Sequence, residues 1–138
     1  MTRDSWQPLL DDLATRREAA RAMGGAERLE RQREGGRLDA RARVAALLDE
    51  GSFVELGTLT GSVQRGASPA APADAFVAGH GRIDGRSTLV GAEDFTVMGG
   101  SIGLGTTAKR QRLAELARQE RVPLVMLLEG AGERAQNA

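Results

Sequence analysis

Catalysis requires a nucleophile, an acid or base, a metal or a set of fixed dipoles, and this sequence narrows the choice. It has no cysteine and a single histidine, which sets aside thiolate nucleophiles, cysteine-held metals and histidine-based metal sites. That histidine, His80, stands between Gly79 and Gly81 with no Ser or Cys nucleophile beside it, and reads as structural. Glu93 and Asp94 are adjacent, so on a strand their side chains face opposite ways. They are expected to be one buried hydrogen-bonding group and one solvated charge, not an acid–base pair. Glu129, Glu133 and Arg134 flank Gly130-Ala131-Gly132 and read as charges whose salt bridges brace a loop. The backbone of that loop remains. N–H groups at Gly132 and Glu133 could hydrogen-bond a developing enolate oxygen, a task that needs donors fixed in advance, with no ionisable side chain.

A second glycine cluster offers a rival. Gly103-Leu104-Gly105-Thr106-Thr107-Ala108 matches the dinucleotide fingerprint G-x-G-x-x-G/A, and Glu129 falls where a ribose-binding acid would stand. The fingerprint should follow its strand directly, whereas Gly99, Gly100 and Ser101 intervene, and the preceding hairpin is antiparallel and does not read as the opening of a βαβ unit. The phosphate-loop pattern fails, because Lys109 does not follow a glycine and no Ser or Thr follows it.

These residues must be positioned by regular elements. Residues 5–34 are charged and helix-favouring, with Leu9, Leu10, Leu13 and Met23 near helical spacing, and Gly24-Gly25 divides them into two helices. After Gly35-Gly36, Asp39 can cap a third helix with an apolar face of Val44, Leu47 and Leu48, closed by Gly51. The arginines 28, 31, 33, 37, 41 and 43 along this stretch read mostly as a solvated face, with one or two able to grip phosphate. Phe53-Val54-Glu55 begins a strand, and residues 61–75, rich in Gly, Ser, Pro and Ala, read as an irregular connection. Residues 76–83 and 86–93 are strand-like runs around Asp84-Gly85, a pair suited to the positive φ angles of a type I′ hairpin turn. A helix is expected from Thr106 to about Glu120, stopped by Pro123. The apolar run Leu124 to Leu128 is expected to be a strand buried on both faces, feeding a ligand loop at its C-terminal end.

Composition bounds the function classes. The chain has 138 residues, of which 41% are hydrophobic, so one domain is the ceiling. Nineteen basic residues balance nineteen acidic ones, and residues 1–50 hold ten Arg and ten Asp or Glu, so the excess of positive charge that a nucleic-acid partner requires is missing. No apolar run is long enough to span a bilayer, and the opening MTRDSWQ lacks the apolar core of a signal peptide, which reads as a soluble, cytoplasmic protein without membrane partners.

In order, the segments resemble the N-terminal part of the biotin-dependent acyl-CoA carboxylase carboxyltransferase (beta) subunit, of the propionyl-CoA, methylcrotonyl-CoA and acetyl-CoA carboxylase type. Glu27-Arg28-Leu29 through Gly36-Arg37-Leu38-Asp39-Ala40-Arg41 is similar to the family's basic helix and G-K-L-T-A-R-E-R-I element, and Leu47 to Glu55 to its L-L-D-x-G-S-F-x-E. Val77 to Arg86 resembles V-x-G-x-G-x-I-x-G-R, and Asp94 to Gly103 resembles D-F-T-V-x-G-G-S-x-G, the most specific of the matches. Two departures stand out. The family's Asp-Ser-Gly-Gly-Ala-Arg-Ile-Gln loop is Glu129 to Gln136 here, agreeing at Gly132, Arg134 and Gln136, and Ala42 replaces a frequent Glu, leaving Asp39 to cap alone.

The resemblance implies an α/β, crotonase-like carboxyltransferase N-domain, incomplete, with residues 1–50 as a helical extension and residues 51–138 as the first portion of the domain. It implies carboxyl transfer from carboxybiotin, carried on a partner carrier domain, to the α-carbon of an acyl-CoA, with no metal in this chain. Gly132 and Glu133 stand where the family's backbone oxyanion donors stand, and Arg37 and Arg41 are placed as contacts for the CoA phosphates. Implied partners are biotin carboxylase, the biotin carboxyl carrier subunit and further copies in a hexamer. The family subunit is several times longer, so this chain alone is expected to be inactive. A biotin-dependent acyl-CoA decarboxylase subunit, an inactive assembly paralogue and, last, the dinucleotide-binding oxidoreductase are the alternatives.

Overall fold

In the computed structural model, which describes residues 6–61 and 72–134, an antiparallel hairpin forms the centre of the sheet. Its strands are β2 (Phe76–Ile83) and β3 (Arg86–Glu93), with β1 (Val54–Leu56) antiparallel on the outside of β2 and β4 (Leu124–Leu127) parallel to β3, in the order β1-β2-β3-β4. Asp84 and Gly85 have φ of 50° and 76°, the left-handed pair of a type I′ turn, as the Asp-Gly dipeptide predicts. The Asp49 carboxylate accepts both turn amides, from Asp84 at 2.9 Å and Gly85 at 2.8 Å, so the chain just after the third helix staples the hairpin tip.

The side chains of the hairpin alternate between two layers of helix. On one face Val77, Val90 and Ala92 pack with Met23, Ala40, Val44 and Leu48 from the N-terminal helices α1 (Gln7–Arg21), α2 (Ala26–Glu34) and α3 (Ala40–Leu47) and their ends. On the other, Phe76, Ala78 and Leu89 pack with Leu113 of α4 (Leu104–Glu120). Residues on both sides of Gly51 therefore share one core. Asp39 caps α3 as expected, its Oδ1 accepting from the Ala42 N–H at 2.9 Å. The two helices before it meet at Gly24, which donates to Thr96 Oγ1 at 3.0 Å and where a Cβ would collide with the Thr96 carbonyl.

Several expectations are corrected. Leu48 is buried but extended, lying one residue beyond α3, and Leu9 and Leu10 are exposed on α1. The last helix begins at Leu104, two residues before Thr106, because Gly103 serves as its cap. The strand β4 is half-buried along its length, where the sequence predicts full burial: its side chains pack toward both layers, but among the described residues it pairs with β3 alone, so its other edge is uncovered. The segment β3–α4–β4 is a parallel crossover, so the hairpin does open a βαβ unit. Of the irregular connection expected over 61–75, residues 62–71 lie outside the described residues, as do Ala135 and Gln136 of the terminal loop.

Candidate functional site

Because β3 and β4 are parallel, both deliver their C-terminal ends to one edge of the sheet, and two glycine-bearing segments meet there. The first is residues 94–103 after β3, the second residues 128–134 after β4. Glu93, the last residue of β3, is buried, and its carboxylate accepts the N–H groups of Glu129 and Gly130 and pairs with Arg110 of α4. Next, the Ala131 N–H donates to the Gly99 carbonyl at 3.0 Å. The two backbones touch. A Cβ on Gly130 would come within 2.5 Å of the Gly100 oxygen and 2.8 Å of Glu93 Oε2, so only glycine lets the segments approach this closely.

The far end of the loop pairs as a short parallel bridge: Ile102 donates to the Gly132 carbonyl at 2.8 Å, and the Arg134 N–H donates to the Ile102 carbonyl at 3.0 Å. In a parallel bridge the residue between these partners turns its own polar groups away, so the Glu133 N–H faces out of the ladder. Gly132 has φ of +96°, a left-handed value that suits glycine. The N–H groups at positions 129, 130, 131 and 134 are thus engaged, whereas those of Gly132 and Glu133 donate to no group among the described residues, and both residues are exposed. Two adjacent donors on a loop clamped at both ends can receive an oxygen that gains negative charge.

Arg134 is anchored by its side chain as well. Its guanidinium pairs with Asp74 Oδ1 at 2.5 Å, with both side chains buried, and donates to Ser101 Oγ at 2.9 Å and the Ser101 carbonyl at 2.8 Å. The expected salt bridges bracing the loop therefore exist, but not among Glu129, Glu133 and Arg134 themselves. Glu129 instead faces the N-terminal helices, accepting from Arg43 at 3.0 Å and Gln32 at 3.2 Å, with Arg37 3.5 Å away. Glu93 and Asp94 are both buried, which corrects the expected solvated charge. The chain bends into a turn after Glu93, so the strand alternation stops there, and Asp94 accepts the Thr96 N–H at 3.0 Å and Oγ1 at 2.5 Å. Burial raises the Asp94 pKa above its ordinary value, with the Thr96 bonds opposing the rise.

Asp74 and Lys109 are the groups that sequence reasoning missed. Lys109 is buried on α4, its Nζ donating to the Ala73 carbonyl at 2.6 Å and the Phe76 carbonyl at 2.7 Å. Burial pushes its pKa down to about 8, against the opposing pull of Glu55 and Asp74, and Arg41 lowers it slightly further. A signal was present: Lys109 is the only lysine in a chain whose other long basic side chains are all arginine. Because the unfolded chain holds this proton up to the ordinary value of 10.5, it binds more protons than the folded one between about pH 8 and 10.5, and stability rises with pH across that window. The stability of the protein relative to a Lys109→Met variant should therefore increase by about 3 kcal/mol between pH 7 and 10.5. Urea unfolding of both at each pH checks this, and a constant difference would contradict the buried ammonium.

The two arginines proposed from sequence are placed differently. Arg41 is half-buried and held by both oxygens of Glu55, at 2.8 and 2.9 Å. Arg37 is exposed, and with Arg28, Arg31, Phe95 and Thr96 it lines a cleft of about 350 Å³. His80 is exposed on β2. No group of three or more His, Cys, Asp or Glu side chains suited to a metal ion occurs among the described residues, and no helix among them is long and apolar enough to cross a membrane.

The helix N-terminus that a dinucleotide would need is already occupied. Ten residues separate β3 from α4, and the first turn of α4 receives Asp74, whose Oδ2 accepts the Thr106 N–H at 2.7 Å. A Cβ at Gly105 would meet the same oxygen at 2.7 Å, so this glycine admits the protein's own carboxylate and leaves no seat for a pyrophosphate. The crossover resembles a nucleotide-binding unit in topology alone.

Comparison with known proteins decides the matter, since the carboxyl transferase domain matches residues 31–138. The chain belongs to the carboxyl transferase family. It is 39% identical over 131 residues to the propionyl-CoA carboxylase beta chain of Cereibacter sphaeroides, covering 93% of this chain and 26% of that one. Against the methylmalonyl-CoA decarboxylase alpha subunit of Propionigenium modestum it is 33% identical over 135 residues, covering 94% and 26%. Among solved structures, the transcarboxylase 12S hexamer core with methylmalonyl-coenzyme A bound superposes with a TM-score of 0.87 at 34% identity, covering 94% of this chain and 26% of that one. The fold is therefore that of this carboxyltransferase group, and the chain spans about a quarter of the length of the curated relatives it matches.

Proposed function

We propose that this carboxyl transferase chain forms part of an acyl-CoA carboxylase that places a carboxyl group on the α-carbon of a coenzyme A thioester. The observation that carries the reading is the pair of adjacent N–H groups at Gly132 and Glu133 that donate to no group among the described residues, on a loop whose amides at 129, 130, 131 and 134 are engaged. Biotin, delivered on a partner carrier, supplies the activated carboxyl group. This chain's residues act on the acyl-CoA. The α-carbon's proton would pass to the biotin nitrogen that gives up the carboxyl group; as that C–H bond breaks, negative charge moves to the thioester oxygen, and two preorganised donors stabilise that oxygen more in the transition state than in the substrate. No titrating side chain is needed at the oxygen, which fits the lack of a cysteine or histidine cluster.

The arginine-lined cleft is assigned to the phosphates of coenzyme A. Arg37, exposed at its rim, is the phosphate contact, with Arg31 beside it, while Arg41 is committed to Glu55 and serves to hold α3 on β1. The rest of the proposed assembly is a biotin carboxylase, a biotin carboxyl carrier subunit and further copies of the chain in a hexamer, working in the cytoplasm; it is supported by the biotin dependence and beta-subunit name of one relative and by the hexamer assembly of a solved structure.

Calorimetric titration of the complete protein tests the substrate class: propionyl-CoA binds and a nicotinamide dinucleotide does not. The reverse preference would sink the reading. Replacing Arg31 and Arg37 together by Gln should weaken propionyl-CoA binding by about tenfold, while the pantetheine thioester, which lacks the nucleotide phosphates, binds as before. Equal weakening of both ligands would remove the phosphate assignment.

A further inference from the structure

The turn that enters β2 is built against the usual preference of its residues. Ala73, Asp74 and Ala75 have φ of 53°, 48° and 59°, three consecutive left-handed residues without a glycine. Each such residue costs on the order of 1 kcal/mol or more, so neighbouring contacts must hold the turn in place. Lys109 provides them: its ammonium donates to the carbonyls of Ala73 and Phe76, which bracket the turn, while the Asp94 N–H bonds the Ala75 carbonyl at 2.8 Å. The stem of Lys109 runs close against Gly57, where a Cβ would lie 2.9 Å from Lys109 Cε, so the glycine leaves the room the lysine needs.

The shape of this turn has one evident consequence. It directs the fully buried Asp74 carboxylate to two targets, the Thr106 N–H at the start of α4 and the guanidinium of Arg134. Thr106 Oγ1 also donates to the Asp74 carbonyl at 2.5 Å, so one threonine holds both the backbone and the carboxylate of the aspartate. Arg134, fixed on its other side by Ser101, immediately follows the Gly132 and Glu133 amides, and its own N–H closes the bridge to Ile102.

We infer that Asp74 and Lys109 are positioning residues for the donor loop: Lys109 fastens the left-handed turn, the turn presents Asp74 to Arg134, and Arg134 sets where the Gly132 and Glu133 N–H groups stand. This rests on the reading of those two amides as the oxygen-binding pair. The Asp74 and Lys109 side chains are both buried and engaged by the protein's own groups. Displacing oxyanion donors by a fraction of an ångström weakens the transition state while largely sparing the nucleotide grip, because the arginines of the cleft stand on α2 and the turn after it.

The test uses the complete protein with biotinylated carrier and propionyl-CoA, at a temperature where each variant is folded by circular dichroism. Lys109→Met and Asp74→Asn should each lower kcat by about tenfold with KM for propionyl-CoA within about twofold of wild type. Combining Lys109→Met with Arg134→Met should lower kcat no further than the worse single variant, because both act through one chain of contacts. Should Lys109→Met fail to fold, Asp74→Asn, alone and combined with Arg134→Met, carries the same comparison. Unchanged kcat in the folded variants, multiplying losses in the double variant, or a rise in KM alone would each overturn the inference. Glu133→Pro, assayed in parallel, separates the two claims. If it loses activity and Lys109→Met does not, the positioning role alone fails; if it retains activity, the donor pair itself is misassigned.

Discussion

Glu133→Pro in the complete protein should lower kcat about a hundredfold, whereas Glu133→Ala should leave it within about twofold. Proline deletes the N–H and alanine keeps it, and loss of one donor from a preorganised oxyanion site costs roughly 3 kcal/mol of transition-state stabilisation. The Glu133 side chain is exposed and the residue follows Gly132, whose carbonyl holds the loop to Ile102, so alanine disturbs no contact seen in the structure. Proline could shift the loop. Acyl-CoA affinity measured beside turnover addresses this: with the arginine cleft intact, Kd should change far less than kcat. Equal loss in the alanine and proline variants, with binding retained in both, would make the side chain the active element.

Arg134→Met should have the largest effect on stability, lowering it by about 3 to 5 kcal/mol, because it leaves the Asp74 carboxylate charged, buried and without its cation. The double variant Asp74→Asn with Arg134→Met should recover part of the loss, since the uncompensated charge is then gone. Urea unfolding of the three variants checks both statements. A single variant that unfolds within about 1 kcal/mol of wild type would mean that water or another group satisfies Asp74.

Much of the fold was legible because its signals are local. The alternating runs around Asp84-Gly85 gave both hairpin strands, and Asp39 gave the start of α3. The donor loop was legible through its place after an apolar run and through the resemblance to the carboxyltransferase family. The buried polar framework was not. Glu93 and Asp94 looked like an alternating pair, but the chain leaves the strand between them, and the bend buries both. Asp74 sat in a stretch that reads as irregular, and nothing in Ala-Asp-Ala suggests three left-handed residues in a row, because only a tertiary contact such as that of Lys109 makes such a turn stable. The apolar run at β4 suggested burial on both faces; Leu127 does pack toward one layer and Leu124 and Met126 toward the other, but β3 alone flanks the strand among the described residues, and its open edge leaves each residue half-buried.

The most direct test of the central claim is a single-turnover transfer experiment with the complete protein. A carrier whose biotin bears a labelled carboxyl group is mixed with the protein and propionyl-CoA, and the label is followed by quenching and separation of products. The label should appear on the α-carbon of the thioester, about a hundredfold more slowly with Glu133→Pro than with Glu133→Ala. Label that stays on the carrier or leaves only as bicarbonate, although propionyl-CoA is bound, would contradict it.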